Sequence, residues 1–290
     1  MKTPSHPHQI PTLIKVFGFR LQNRTAYLTF LLAARTAIIA ALIFVFLTAS
    51  SRAQFAYVAN ADSGDISAYS VDSNGNLRPV PGSPFTAGIE LFSVSVDSMA
   101  RFAYATDFNG NNIAACRIGS DGALTPISGS PFETGMAPIS IALDPMAKFA
   151  YVANSGDNNV SAYVIGSNGA LIPAPGAPFP AGFAPVSMAV DPTARFVYVA
   201  NKASNGISAY CINSNGVLTP VSGSPFAGAN EPVSVAVDPT ARFAYASNRA
   251  SNNVSAYSVG SNGALMPVPG SPFAAGIEPI SIVVARTGVK

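Results

Sequence analysis

Three glutamates occupy one position of a repeated sequence unit, and they are the strongest candidates for acid–base chemistry in this chain. Glu90, Glu231 and Glu278 each come just before a short apolar segment, whereas two other units carry alanine there. Lys202 and Arg249 follow another apolar segment in two neighbouring units. A carboxylate can act as a general base and a cation can polarise a carbonyl group, so this set suits ester-like hydrolysis or binding of a polar ligand.

A second set of polar side chains recurs at or near the ends of the apolar segments. The candidates for ligand binding are Asp62, Asp65, Asp107, Asn154, Asn201 and Asn248. One such side chain per unit favours a ring of equivalent sites for a carbohydrate-like molecule. The alternative is that these side chains bond the backbone of the adjoining loop. The carboxylates of both sets also allow a weak calcium site, although they follow no calcium-loop pattern.

The residues that nucleophilic, zinc-dependent or phosphate-binding chemistry requires are not arranged in the patterns that such sites need. Both histidines, His6 and His8, precede the repeats, and Cys116 and Cys211 stand at different offsets in their units. The sequence therefore predicts no Ser–His nucleophile, no zinc site and no phosphate-binding loop, and no cofactor is expected. Residues 54–290 contain all 14 acidic groups and no basic stripe, which excludes nucleic acid as a partner.

The chain contains a repeat of 47 residues without insertions. Its five units begin at Phe55, Phe102, Phe149, Phe196 and Phe243. In the fourth unit, apolar or alternating segments at 196–201, 206–212, 217–221 and 232–238 are separated by turn residues such as Asn215 and Gly216. Four short strands in a unit of this length predict a β-propeller blade.

The position of proline indicates how the strands are ordered in each blade. The third strand of each unit contains Pro79, Pro126, Pro173, Pro220 or Pro267. Proline cannot donate to a neighbouring strand, so this strand belongs at the outer edge, and the segment 232–238 is then the inner strand.

The phase of the repeat predicts how the ring closes. The first unit opens with a second strand at Phe55, and the last ends with an inner-type strand at 279–284. We therefore predict an all-β, five-bladed β-propeller of four-stranded antiparallel blades, closed by pairing of the N- and C-terminal strands. Closure would place Glu231, Glu278 and Glu90 side by side.

Residues 1–53 differ in composition from the propeller region at 54–290. They carry six Lys and Arg, no acid, and an apolar run at 36–47 that ends near Ser51-Arg52-Ala53. This pattern predicts a signal peptide or, if it is not cleaved, an N-terminal membrane anchor through residues 26–49. In both cases we expect an exported protein that is periplasmic, secreted or at the cell surface.

The repeat motifs resemble a known family. Tyr-Val-Ala-Asn occurs at 57–60, 151–154 and 198–201, and Asp-Pro-Thr-Ala-Arg at 191–195 and 238–242. Over about residues 54–285 the chain is similar to the lactonase-like propellers, also called YVTN-repeat proteins. The resemblance implies a family that includes 6-phosphogluconolactonases, carboxymuconate cycloisomerases and exported proteins without known activity. Its enzymes typically have seven blades.

Two functions remain open from the sequence. The first is a non-catalytic exported scaffold that binds a carbohydrate-like small molecule or a surface protein, which the regular repeat and the absence of histidine favour. The second is a lactone hydrolase in which Glu231, Glu278 or Glu90 activates water and Lys202 or Arg249 polarises the lactone carbonyl group.

Overall fold

The computed structural model describes residues 53–285, and this range contains strands and turns but no helix. Accordingly, no helix in it could cross a membrane. The predicted signal peptide or anchor lies outside the described residues. Five antiparallel sheets, named A to E in chain order, follow one another along residues 53–285. An all-β, propeller-like fold is therefore confirmed.

The strands have the following bounds. Sheet A comprises β1 Gln54–Asn60, β2 Asp65–Val71, β3 Leu77–Pro79 and β4 Phe85–Thr86. Sheet B comprises β5 Leu91–Val96, β6 Phe102–Asp107, β7 Asn112–Ile118, β8 Leu124–Pro126 and β9 Phe132–Glu133. Sheet C comprises β10 Pro138–Leu143, β11 Phe149–Asn154, β12 Asn159–Ile165, β13 Leu171–Pro173 and β14 Phe179–Pro180. Sheet D comprises β15 Pro185–Val190, β16 Phe196–Asn201, β17 Gly206–Ile212 and β18 Leu218–Pro220. Sheet E comprises β19 Pro232–Val237, β20 Phe243–Asn248, β21 Asn253–Val259, β22 Leu265–Pro267 and β23 Phe273–Ala274.

The order of strands within a sheet is the one predicted from proline. Sheets B to E each run from an inner strand through two central strands to a short outer strand, as in β5-β6-β7-β8. Every outer strand ends in the repeat proline, Pro126 in sheet B, where no further strand needs its missing N–H. Where present, the two-residue strands such as β9 extend the same outer edge.

Neighbouring sheets are joined along their inner strands. Ser95 Oγ donates to the Ile141 carbonyl oxygen across 2.8 Å, and the Met188 N–H donates to Ser140 Oγ across 3.2 Å. Ser187 accepts from the Val235 N–H in the same way as Ser140, so a serine of β5, β10 and β15 is a polar link to the next sheet. The second strands β6, β11 and β16 are buried along their whole length, because a sheet packs on each of their faces.

A second link between sheets uses a tyrosine, a phenylalanine and a turn glycine. Tyr104 Oη donates to the Gly169 carbonyl oxygen of the next sheet across 2.8 Å. Gly169 has φ +88°, and a Cβ on it would come within 2.6 Å of the Phe102 ring. Only glycine allows both the turn and this approach. The same arrangement joins Tyr57 to Gly122 and Tyr198 to Gly263.

The predicted closure of the ring is not formed in this structure. β1 pairs with β2 alone, and residues 279–285 lie outside any strand. In a closed ring the Phe243 ring would lie against Gly75, yet the space beside Gly75 is open to 4 Å. Within residues 53–285, sheet A therefore has no inner strand, and these residues form an open row of sheets. The sequence patterns that predict strand pairing within a blade do not determine the angle between neighbouring sheets. Ring closure depends on that angle.

We expect Tyr104→Phe to lower the free energy of unfolding by about 1–2 kcal/mol, because it leaves the buried Gly169 carbonyl group without its donor. Tyr151→Phe is the matched control, since the buried Tyr151 hydroxyl has no partner among the described residues. That variant is expected to stay within about 0.5 kcal/mol of the parent protein. Urea unfolding of both variants measures the difference, and equal losses would contradict the proposed link.

A buried aspartate holds the turn between the inner and second strands. Burial disfavours the charged form of Asp238, but hydrogen bonds from the Thr240 hydroxyl and from the backbone amides of Phe243, Thr240 and Arg242 outweigh it. The pKa of Asp238 is therefore held below its ordinary value of 3.8. Asp97, Asp144 and Asp191 make the equivalent bonds in their sheets.

The lowered pKa of Asp238 predicts an acid-dependent contribution to stability. The contribution is fully present above the ordinary carboxyl pKa and is lost as the pH falls through the lowered value. Asp238→Asn should therefore have a lower melting temperature than the parent at pH 6, and the gap should narrow toward pH 2. Calorimetric scans across this range check the prediction, and a gap that is constant with pH would contradict it.

Candidate functional site

The candidate site is built on the loops that follow the second strands of sheets D and E. The Glu231 N–H donates to Asn205 Oδ1 in the loop of sheet D across 2.9 Å. The Glu231 carbonyl oxygen accepts from the Arg249 N–H in the loop of sheet E across 3.0 Å. Glu231 is thus fixed between the loop that carries Lys202 and the loop that carries Arg249. Its carboxylate has no hydrogen-bond or ion-pair partner within residues 53–285.

Arg249 joins the second glutamate to this group. Its guanidinium Nη2 lies 3.2 Å from Glu278 Oε2, and the two side chains are 41% and 62% exposed. The Glu278 N–H donates to Asn252 Oδ1 across 2.7 Å, in the same loop as Arg249. Because an exposed ion pair adds little stability, this guanidinium remains able to bind another oxygen.

The backbone conformation at the glutamate position belongs to the blade. Glu231 and Glu278 have φ of +47° and +49°, a region that residues other than glycine seldom adopt. Ala137 and Ala184 share this conformation in the other units, with φ of +51° and +50°. At these four positions only the side chain differs, so the carboxylates of Glu231 and Glu278 are additions to a common loop.

The structure brings together some predicted residues and separates others. Glu231, Glu278 and Arg249 lie on consecutive loops. Lys202 has in sheet D the position that Arg249 has in sheet E, and its N–H donates to the carbonyl oxygen of Ala184, the equivalent of Glu231. Glu90 precedes sheet B, with sheets C and D between it and sheet E. Its carboxylate accepts from Asn109 Nδ2 across 2.5 Å. The predicted group of three glutamates required ring closure, so here it is reduced to two.

The side chains that end the second strands are buried and bonded within the blades. Asn154 Nδ2 donates to Asn159 Oδ1 and Ser161 Oγ, and Asn248 makes the same two bonds in sheet E. Asn201 Nδ2 donates to the Gly206 carbonyl oxygen and to Ser208 Oγ. Asp107 accepts from the backbone amides of Ile89, Glu90 and Gly110. These bonds are the loop-supporting alternative identified from the sequence, and they turn the predicted ligand atoms inward.

The remaining acidic candidates do not converge. Asp65 accepts from Asn60 Nδ2 across 2.6 Å, whereas Asp62 is exposed in the loop after β1. Among residues 53–285, no group of three Cys, His, Asp or Glu side chains has the geometry to hold a metal ion.

Two asparagines that position the site were missed in the sequence. Asn205 and Asn252 hold the backbone of Glu231 and Glu278, and Asn111 and Asn158 hold Ala137 and Ala184 in the same way. These four asparagines recur every 47 residues. That periodicity was the available signal, and only the structure shows that each one supports the loop before the next inner strand.

An unpaired acceptor lies beside Arg249 in the chain. Asn248 is 1% exposed, and its Oδ1 has no partner among the described residues. In sheets C and D the equivalent oxygens accept from Thr134 Oγ1 and the Gly182 N–H. The loop before Glu231 reads Ala-Gly-Ala-Asn and supplies no such donor. A buried acceptor left free is suited to a water or hydroxyl donor.

The arrangement places the Glu231 carboxylate and the Arg249 guanidinium on two loops that are joined through their backbones. Such a pair can deprotonate water and stabilise negative charge on a carbonyl oxygen. The surrounding charges of Lys202, Arg249, Glu231 and Glu278 balance, so the face attracts neither strongly anionic nor strongly cationic ligands.

Comparisons with solved structures show the same fold. A candidate 6-phosphogluconolactonase from Bacteroides fragilis superposes with a TM-score of 0.68 at 17% identity, covering 81% of this chain and 70% of that chain. A candidate 6-phosphogluconolactonase from Bacteroides uniformis gives 0.68 at 18% identity, with 79% and 70% covered. The periplasmic gluconolactonase PpgL of Pseudomonas aeruginosa gives 0.64 at 18% identity, with 77% and 68% covered.

Comparison at the sequence level identifies the family. No curated protein sequence matches the chain significantly. The sequence model of one family, described as lactonase, 7-bladed β-propeller, matches residues 24–282. This match spans most of the chain and agrees with the repeat motifs and with the sheets. The chain therefore belongs to the seven-bladed β-propeller lactonase family.

Proposed function

We propose that this protein hydrolyses a neutral sugar lactone on the loop face of sheets D and E. The observation that carries the proposal is the backbone hydrogen bond of 3.0 Å from the Arg249 N–H to the Glu231 carbonyl oxygen, which joins the loops that carry the two side chains. The family match supports hydrolysis over the non-catalytic scaffold that the regular repeat alone favoured.

Each residue of the pair has one task in this reaction. The Glu231 carboxylate takes a proton from water, and the resulting hydroxide attacks the lactone carbonyl carbon. The Arg249 guanidinium donates to the carbonyl oxygen as it gains negative charge. The ring C–O bond then breaks, and the departing oxygen takes the proton back from Glu231. Water and lactone thus become one hydroxy acid.

Glu278 positions Arg249 and does not act on water. Its carboxylate lies 3.2 Å from the guanidinium, which restricts the rotamers of a long exposed side chain.

The leader supports the proposal that the reaction takes place outside the cytoplasm. A basic segment followed by the apolar run 36–47 fits an export signal. Phosphorylated sugar lactones are formed inside cells, whereas neutral aldonolactones also arise outside. A periplasmic, secreted or surface enzyme is therefore expected to take the neutral form.

Arg249→Ala is expected to lower kcat/KM on glucono-1,5-lactone by about 100-fold or more, since the developing oxyanion loses its donor. Glu231→Gln should cause a loss of similar size through kcat, because the amide cannot accept the proton. The matched control is Glu90→Gln, the equivalent position in sheet B, which should keep its activity. Titration of the released acid in the full-length protein measures the rates. Activity that survives both site variants would exclude this pair.

The balanced charge of the site predicts substrate preference. A phosphate dianion needs several cations, and Arg249 is already paired with Glu278. Hence kcat/KM should be at least about tenfold higher for glucono-1,5-lactone than for its 6-phosphate. Competition between the two lactones provides the test. Preference for the phosphate would refute the neutral assignment, and binding without turnover of either would restore the scaffold interpretation.

A further inference from the structure

Among residues 53–285, one edge of strand β1 has no partner strand. The second strands of sheets B to E pair with an inner strand on one side and a third strand on the other, but within this range β1 pairs only with β2. Val58 on β1 is 47% exposed, although its equivalents Val152 and Val199 are fully buried. A row of free N–H and C=O groups beside apolar side chains is a template for another strand.

The strand that fits this edge is present on the same chain and is also unpaired. Residues 279–284 read Pro-Ile-Ser-Ile-Val-Val, the same pattern as β10, β15 and β19. They lie outside any strand, with Ile280 70% and Val283 87% exposed. A segment with the sequence of an inner strand is thus partly exposed and unpaired, while sheet A has no inner strand among residues 53–285.

The terminal arm, residues 275–285, has few contacts with its own copy. Ala275 N–H and Glu278 N–H donate to Asn252, and Ile282 N–H donates to Ser234 Oγ across 3.2 Å. Ser247 Oγ is buried without a partner among the described residues, whereas its equivalent Thr106 donates to the next inner strand. To leave its own copy, the segment 279–284 has to break the Ile282 bond, which is equivalent to the bonds of Met188 and Val235 to the preceding inner strands.

The repeat fixes the register that the missing pair would adopt. In sheet E, Pro232 lies opposite Asn248 and Ser234 opposite Ser247. Pro279 is the repeat equivalent of Pro232, and Asn60 is the equivalent of Asn248, so the missing pair would place Pro279 opposite Asn60. The remaining pairs follow from the same equivalence. These are Ser281 with Ala59, Ile282 with Val58, Val283 with Tyr57, and Val284 with Ala56.

The shape of the row of sheets argues against pairing within one copy. The described sheets match 70% of the Bacteroides fragilis chain, the share that five blades take in a seven-bladed ring. The open space beside Gly75 shows that sheet E does not reach sheet A. Within residues 53–285, β1 and the arm that would fill its edge are therefore not paired.

We propose that residues 279–284 of one copy pair with β1 of a second copy and complete its sheet A. The contact is strand addition to an open edge, with main-chain hydrogen bonds and alternating apolar side chains. Exchange of identical elements between copies is a common route to dimers, and here it can be reciprocal. Only residues 279–284 contact the other copy, so the sheets of the two copies do not have to form one continuous row.

Mixing two single-cysteine variants of the full-length protein tests the proposal. Both carry Cys211→Ser, because Cys211 is partly exposed, and Cys116 is retained because it is buried. One variant carries Ala59→Cys and the other Ser281→Cys. After mild oxidation, non-reducing electrophoresis should show a covalent dimer in the mixture, at least about tenfold more than in either variant alone.

A shifted pair supplies the control. Ala56→Cys mixed with Ser281→Cys places the thiols three residues out of register and should give at most a trace of dimer. Circular dichroism confirms that each variant keeps its strands. Two results would overturn the proposal. One is a disulfide inside the monomer when Ala59→Cys and Ser281→Cys are combined in one chain, and the other is no difference between the matched and shifted pairs.

Discussion

The contact between a turn glycine and the preceding sheet determines the arrangement of the whole molecule. At each joint a phenylalanine ring lies against the glycine, as Phe102 lies against Gly169, and in most joints a tyrosine hydroxyl donates to the same residue. No side chain other than hydrogen fits there. Because the joint recurs every 47 residues, every sheet is placed on its neighbour in the same way, and every loop after a second strand reaches the same face.

This regular frame allows chemistry to vary without altering the fold. The residue before β10, β15 and β19 is held by an asparagine of the preceding blade and by an amide of the following loop, whether it is alanine or glutamate. Glu231 and Glu278 therefore add carboxylates to a backbone that is already positioned. Arg249 lies between them because its loop holds both, and this proximity, rather than any strain, is what suggests a site.

The asparagine side chains at the ends of the second strands and the backbone groups at the open edge of β1 differ in whether they are paired. Asn154, Asn201 and Asn248 point inward, since the ends of buried strands leave donors and acceptors that must be paired away from water. Along the open edge of β1, the backbone N–H and C=O groups have no partner strand among residues 53–285. An edge of this kind is normally covered, which is why the matching segment at 279–284 has consequences for assembly.

The sequence by itself determined the repeat, the four strands of each unit, the outer position of the proline strands and the family, because these depend on local pattern and on spacing. The tertiary structure alone decided that β1 and residues 279–284 do not meet, and hence that Glu90 stands apart from Glu231 and Glu278. Whether a ring closes depends on the angle between successive sheets, summed over all of them. Each joint contributes a small part of that angle, and no single residue encodes the total.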